Sequence, residues 1–181
     1  MPPAEDGTAA GAPMPALPGR FRAYAISSTG DGKNCLAGVV TDEDGLLQKP
    51  FVALAQGQEG PVAWSRELDG LEDAYQARAT HCLLGHGALY VLLQSDTHAA
   101  RACSQTLLSV AKLDIRGQVQ ATRTVSVPES FGQACSAWVD EQPAHFRWEG
   151  GRLVIEGYYR PMSDTGAGKP FRTSLGPELD P

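Results

Sequence analysis

The residues with the clearest capacity for chemistry are four cysteines, which lie far apart along the chain. No two of them form the short C-x-x-C spacing that is typical of zinc sites and thioredoxin-type redox sites. Two interpretations remain, namely two disulfides in an exported protein or four separate buried thiols. We expect two disulfides. The sequence allows three connectivities, of which we favour Cys35 with Cys82 and Cys103 with Cys135.

A cysteine nucleophile needs an imidazole within hydrogen-bond reach, because the thiolate is the reactive form. The Q-A-C at 133–135 resembles the start of the caspase signature, and His86 lies about 50 residues upstream, where that family places its base. The resemblance ends there, since Ser136 and Ala137 replace the residues that should follow. Of the functions considered for this chain, a cysteine hydrolase is therefore the least favoured, and we expect Cys135 to be half of a disulfide.

Other catalytic and ligand-binding motifs are incomplete. His81, Cys82 and His86 could ligate a metal, but adjacent residues of a strand point to opposite faces and do not converge. The G-A-G-K at 166–169 looks like the end of a phosphate-binding loop, yet Pro170 replaces the Ser or Thr that would hold magnesium. We therefore predict no catalytic residues, no metal site and no cofactor.

The net charge of the chain limits the classes of partner that it can bind. The 181-residue chain has a net charge of −6, and no stretch of it concentrates lysine and arginine. Nucleic acids and anionic membrane surfaces are therefore poor partners, whereas a basic protein surface would suit the chain. Apolar runs such as 89–93 are far shorter than the ~20 residues of a membrane-spanning helix, so no transmembrane segment is expected.

Residues 1–20 are dominated by proline, alanine and glycine. Such a segment cannot bury enough apolar surface to offset its ordering entropy, so we predict a flexible leader at 1–20 and a single β-rich domain at 21–181. A leader of this kind is typical of exported bacterial proteins, where it follows a removed signal or a lipid anchor. We expect a periplasmic or otherwise exported protein, and a cytosolic protein with a mobile tail is the alternative.

Strand-like segments alternate with turn-forming residues along the domain. Hairpins are predicted at 36–55, 77–94, 107–127 and 144–159. A capping-box spacing at 69–72 predicts at most one short helix at 71–79, or else the lead into the next strand. We predict an all-β fold of antiparallel hairpins, arranged as a two-sheet sandwich or in an open propeller-like manner.

The hairpins also resemble one another in pairs. Residues 36–55 overlay 108–127, and residues 81–96 overlay 145–160. This pairing predicts a four-stranded antiparallel unit that occurs twice, with chance similarity between hairpins as the alternative.

Acidic residues concentrate in two loops, at the tip of the first hairpin and before the second. They are Asp42, Glu43, Asp44, Glu67, Asp69, Glu72 and Asp73. Charged turns ordinarily keep a β-protein soluble, but they can also form an electronegative surface that docks on a basic cleft and speeds association. Among the aromatic residues, we expect Trp148, beside the turn at 149–151, to be exposed to a partner.

The leader, the spaced cysteines and the acidic loops together give a layout that resembles the periplasmic immunity proteins with which bacteria neutralise antibacterial toxins. The resemblance implies a non-enzymatic inhibitor that forms a one-to-one complex with a toxin enzyme and covers its basic cleft with the acidic loops. The alternative is a carbohydrate- or envelope-binding lipoprotein that uses exposed aromatic residues.

Overall fold

The computed structural model describes residues 16–57, 60–99 and 103–181, which form twelve β-strands. The strands are β1 (Phe21–Ser28), β2 (Lys33–Thr41), β3 (Gln48–Gln56), β4 (Val62–Glu67), β5 (Ala74–Gly85), β6 (Ala88–Ala99), β7 (Cys103–Leu113), β8 (Val119–Thr124), β9 (Cys135–Trp138), β10 (Phe146–Glu149), β11 (Arg152–Pro161) and β12 (Lys169–Leu175). All four predicted hairpins are present, as β2–β3, β5–β6, β7–β8 and β10–β11. The all-β prediction is therefore confirmed.

The strands form three antiparallel sheets of four strands each. Sheet 1 has the order β1-β2-β3-β4 and sheet 2 the order β5-β6-β7-β8. In sheet 3, β11 lies between β12 and the two short strands β9 and β10, which pair with different parts of β11. The protein thus has three sheets, one more than the two-sheet sandwich that the sequence predicts beside an open propeller-like arrangement.

Sheet 2 is the middle layer, with an apolar cluster on each face. One cluster joins it to sheet 1 and the other joins it to sheet 3. The apolar run at 89–93 shows why both faces are covered. Leu89, Val91 and Leu93 face sheet 1, whereas Tyr90 and Leu92 face sheet 3, because successive side chains of a strand alternate between its faces.

The first predicted disulfide is confirmed. Cys35 of β2 is bonded to Cys82 of β5, which ties sheet 1 covalently to sheet 2. The second prediction is wrong, because Cys135 is a buried free thiol and not half of a disulfide. The side chain of Cys103 lies outside the described part of the structure.

The predicted helix at 71–79 is replaced by a turn and a strand. The amide of Ala74 donates to the carbonyl of Leu71 at 2.9 Å, and β5 begins directly afterwards. Ala77 and Ala79 then bury the same face of β5 with a period of two, so sheet pairing overrides the local helix signal. Among the described residues, the only helical turns are two 3-10 turns at Pro128–Ser130 and Pro143–His145, and none is long and apolar enough to cross a membrane.

The predicted duplication does not coincide with the sheets. Residues 36–55 belong to sheet 1 and 108–127 extend along sheet 2, while 81–96 belong to sheet 2 and 145–160 to sheet 3. A four-stranded unit does recur, but it occurs three times and its boundaries differ from those of the overlay.

Most of the predicted leader, residues 1–15, lies outside the described residues. Leu17 is described, and it packs against an apolar cluster of sheet 1 that also contains Phe51. The chain then enters β1 through a turn in which the amide of Phe21 donates to the carbonyl of Pro18.

The connections of sheets 1 and 2 divide between two ends of the molecule. We call the end that carries residues 42–47 and 68–73 the acidic end. The opposite end carries the tips at 86–87 and 115–117, together with the tip of sheet 3 at 149–151.

Candidate functional site

The β2–β3 hairpin tip at the acidic end is held in one conformation by Asp42. Its Oδ1 accepts hydrogen bonds from the amides of Leu46, at 2.8 Å, and Leu47, at 3.3 Å. Gly45 adopts a φ of 70°, which favours glycine, and its amide donates to the Asp42 carbonyl. Asp42 therefore shapes the tip, and its carboxylate is occupied within the turn.

Two leucines are exposed on this tip beside two carboxylates that form no ion pair with a described residue. The side chains of Leu46 and Leu47 are 75% and 45% exposed, and Glu43 and Asp44 are exposed next to them. Sequence analysis identified the acids but missed the leucines. Two adjacent leucines directly after an Asp-Gly turn were the available signal, because such a turn places them at or near the tip of a hairpin.

The second acidic loop begins beside the base of the same hairpin. Glu67 forms an ion pair with Lys49 at 3.1 Å, and the amide of Leu68 donates to the carbonyl of Pro50 at 2.8 Å. Both partners lie on β3, one or two residues past its start at Gln48. The structure thus brings the two predicted acidic groups to one end of sheet 1.

The remainder of the second loop is anchored on sheet 2. The amide of Leu71 donates to Ser95 Oγ at 3.1 Å. Asp69, Glu72 and Asp73 are exposed, and within the described residues none of the three forms an ion pair. These three carboxylates therefore lie at the same end of the molecule as the hairpin tip.

Trp148 does not belong to this surface, which corrects the sequence-based expectation. Its indole is half-buried at the opposite end, with ring centroids 4.6 Å from His86 and 4.9 Å from Tyr90. A Cβ at Gly85 would come within 2.0 Å of the indole nitrogen, so this glycine makes room for the ring. Trp148 packs between sheets 2 and 3 against the apolar core and is only partly exposed.

The cysteine and histidine of the protease-like signature are also far apart in the fold. Cys135 starts β9 and pairs with Pro161 at the end of β11, whereas His86 occupies the β5–β6 tip at the opposite end. Burial raises the pKa of the Cys135 thiol, opposed in part by the nearby Ser130 hydroxyl. This arrangement does not activate a thiolate.

The residues weighed as metal ligands have other partners. Cys82 is in the disulfide, and His81 lies between sheets 2 and 3, hydrogen-bonded to Thr80 and to the carbonyl of Gln142. His86 packs on Trp148. Within the described ranges, no group of three or more His, Cys, Asp or Glu side chains is arranged to hold a metal ion.

A polar cleft of about 600 Å³ opens between sheets 2 and 3. Its walls come from β5, β6 and β7 on one side and from β9 and β11 on the other, with Tyr24 of β1 at its margin. None of the acidic-loop residues lines it. Its charged side chains are Arg78, Asp96, Glu141 and Arg160.

Asp96 is the centre of the hydrogen-bond network in this cleft. Its Oδ2 accepts from Gln76 Nε2 at 2.8 Å and from Arg78 Nη1 at 2.9 Å, and its Oδ1 accepts from Thr106 Oγ1 at 2.7 Å. Burial alone would raise the pKa of Asp96, but the hydrogen bonds from Thr106 and Gln76 and the charge of Arg78 outweigh it and lower the pKa. The carboxylate is therefore ionised and fixed in place.

The aromatic wall of the cleft is Trp138. Its ring stacks on Tyr158 with centroids 6.2 Å apart and an interplanar angle of 28°. Gly168 lies against the same ring, and a Cβ there would come within 2.6 Å of it. The indole thus packs against Tyr158 and Gly168 while it lines the cleft.

The chain matches no protein-family model and shows no significant similarity to a curated protein.

Proposed function

We propose that the protein is a non-enzymatic binding protein of the bacterial cell envelope that inhibits a partner enzyme through its acidic end. The observation that supports this proposal is the β2–β3 tip, where Leu46 and Leu47 are exposed beside Glu43 and Asp44 on a turn fixed by Asp42. The partner that fits this tip is a toxin enzyme with a basic cleft, bound one to one.

The tip combines the two features that make a protein-binding site effective. Apolar side chains that become buried in a partner supply affinity, and a surrounding rim of charge supplies orientation and association rate. Because the Asp42 carboxylate already orders the turn, little conformational entropy is lost when the tip inserts. Asp69, Glu72 and Asp73 extend the negative surface beside it.

Export of the protein is part of the proposal. Disulfides persist mainly in oxidising compartments, and the Cys35–Cys82 bond is compatible with such a location. An inhibitor of a toxin that acts in the periplasm would work in that compartment.

The test is capture of a partner from periplasmic extracts by the wild-type protein and by two tip variants. The variants are Leu46→Ala with Leu47→Ala, and Glu43→Gln with Asp44→Asn. Ile115→Ala is the matched control, because Ile115 is 61% exposed on a hairpin tip at the opposite end. We expect the wild type and the control to bind and inhibit the same enzyme in a 1:1 complex.

The two variants should fail in different ways. Loss of the leucines should weaken affinity by about 2–3 kcal/mol, mainly through faster dissociation, whereas loss of the charges should slow association and flatten its salt dependence. A captured enzyme that stays fully active in the complex, or that binds both variants as tightly as the wild type, would refute the proposal.

A further inference from the structure

We infer that the cleft between sheets 2 and 3 is a second binding site, and that its ligand is an uncharged saccharide. The site is separate from the acidic end, since none of the acidic-loop residues lines it. Its volume of about 600 Å³ lies within the range of natural ligand pockets.

The side chains that sheet 2 turns toward sheet 3 change from apolar to polar along the single strand β6. On the face of β6 that meets sheet 3, Tyr90 and Leu92 belong to the apolar core, but the next two residues on that face are Gln94 and Asp96. Both are buried, at 2% and 7% exposure. Buried polar groups are tolerated where they are hydrogen-bonded, as both of these are, and the two residues therefore place fixed polar atoms in the wall of the cleft.

These polar groups are fixed before any ligand arrives. Gln94 Nε2 donates to Thr80 Oγ1 at 3.0 Å and to the Val139 carbonyl at 2.9 Å, which ties β6 to sheet 3. Ser136 Oγ accepts the amide of Thr106 at 2.8 Å. Preorganised groups of this kind lower the entropic cost of binding.

The cleft retains capacity for further hydrogen bonds of both kinds. Arg78 carries five N–H donors but, within the described residues, uses only Nη1, toward Asp96. Arg160 and Glu141 line the cleft and form no ion pair with any described residue. A ligand that both donates and accepts hydrogen bonds therefore suits the site.

The charges of the cleft cancel. Two arginines stand against two carboxylates, and Asp96 is already paired with Arg78. A phosphate would meet the repulsion of the carboxylates, and a cation would meet that of the arginines. The balance favours an uncharged ligand.

The aromatic wall selects among uncharged ligands. Trp138, whose indole packs against Tyr158 and Gly168, lines the cleft as a rigid apolar surface, and Tyr24 offers a second one. A pyranose ring has an apolar C–H face that can stack on an aromatic ring and a rim of hydroxyls that can bond the polar wall. A saccharide therefore matches both halves of the cleft.

The test is titration of the full chain with three neutral tetrasaccharides, namely maltotetraose, cellotetraose and N-acetylated chitotetraose, and with inorganic phosphate. The readout is the ¹⁵N–¹H resonance of the Trp138 indole, assigned by its loss in Trp138→Phe. We expect at least one tetrasaccharide to shift this resonance with a Kd below about 10 mM. We expect phosphate to leave it unchanged.

Two variants of the cleft sharpen the test. Trp138→Ala and Arg160→Ala should each weaken binding by about tenfold or more, because one removes the stacking surface and the other a hydrogen-bond donor. Phe131→Ala is the control, since this aromatic residue is 92% exposed and does not line the cleft. Arg160 is exposed and forms no ion pair with a described residue, so we expect Arg160→Ala to fold even if Trp138→Ala does not.

Three results would overturn the inference. They are no shift with any tetrasaccharide at about 10 mM, binding that survives both cleft variants, and a response to phosphate in place of the saccharides. Each is independent of the acidic end, so failure here leaves the proposed inhibitor function untouched.

Discussion

The two faces of sheet 2 are built differently. The face toward sheet 1 is closed by an apolar cluster and by the Cys35–Cys82 bond. The face toward sheet 3 begins as an apolar core but also buries His81, Gln94 and Asp96, and it opens into the cleft. The sheet 1 interface therefore holds two layers together, whereas the sheet 3 interface combines packing with buried polar groups that line a cleft.

The variant with the largest expected effect on stability is the one that removes the disulfide between sheets 1 and 2. The bond joins residues 47 positions apart, and closing a loop of that length is worth about 4 kcal/mol in the chain-entropy model. We therefore expect Cys35→Ala with Cys82→Ala to lower the free energy of unfolding by about that amount, measured by urea denaturation.

The free thiol provides the control for that experiment. Cys135→Ala leaves the Cys35–Cys82 bond intact and removes one buried sulfur, so its effect should be smaller. If the double variant unfolds at the same urea concentration as the wild type, the sheet 1 interface owes its stability to packing alone.

On the other face, the corresponding experiment removes the charge of Asp96. Asp96→Ala leaves Arg78, Gln76 and Thr106 without their shared acceptor. Both members of the Arg78–Asp96 pair are only partly exposed, so we expect a loss of about 2 kcal/mol in the free energy of unfolding. Glu141→Ala, which removes an exposed carboxylate of the same cleft, should leave stability unchanged.

The contrast between the faces also marks how far sequence reasoning reaches. Strands and hairpins follow from local alternation and turn glycines, and the hairpin at 36–55 is found as β2–β3. The number of layers depends on which faces meet. Uninterrupted apolar runs, at 89–93 and also at 51–55, were the local sign that a strand is covered on both sides.

The sites show the same limit. Acidic residues are visible in the sequence, and the structure brings both groups to one end of sheet 1. Trp148 was predicted to be exposed, but its ring packs in the space beside Gly85. That space exists only once sheets 2 and 3 pack together, so it is not visible in the sequence. The cleft could not be predicted at all, since its residues come from strands that are distant in sequence.

Acid should weaken the sheet 3 interface selectively. Burial lowers the pKa of His81 from its ordinary value of 6.5, opposed by the hydrogen bond to the Gln142 carbonyl. As pH falls below about 6.5, the unfolded chain binds a proton that the folded chain does not, so the free energy of unfolding decreases until the lowered pKa is reached.

The measurement is urea denaturation at about pH 7.5 and about pH 5.5. His81→Gln should reduce the difference between the two conditions, whereas His86→Ala, at the β5–β6 tip, should preserve it. Equal pH dependence in all three proteins would show that His81 does not report on this interface.

The smallest effect is expected on the outer surface of sheet 3, where Arg147 and Arg172 bridge Glu149 and Glu156 across β10, β11 and β12. These ion pairs are substantially exposed, and exposed pairs contribute little because water and salt screen them. Arg172→Ala should therefore shift the urea midpoint less than Asp96→Ala does, and the shift should vanish in about 1 M salt. If the loss instead matched that of Asp96→Ala and persisted in salt, sheet 3 would depend on its outer surface as much as on the face it turns toward sheet 2.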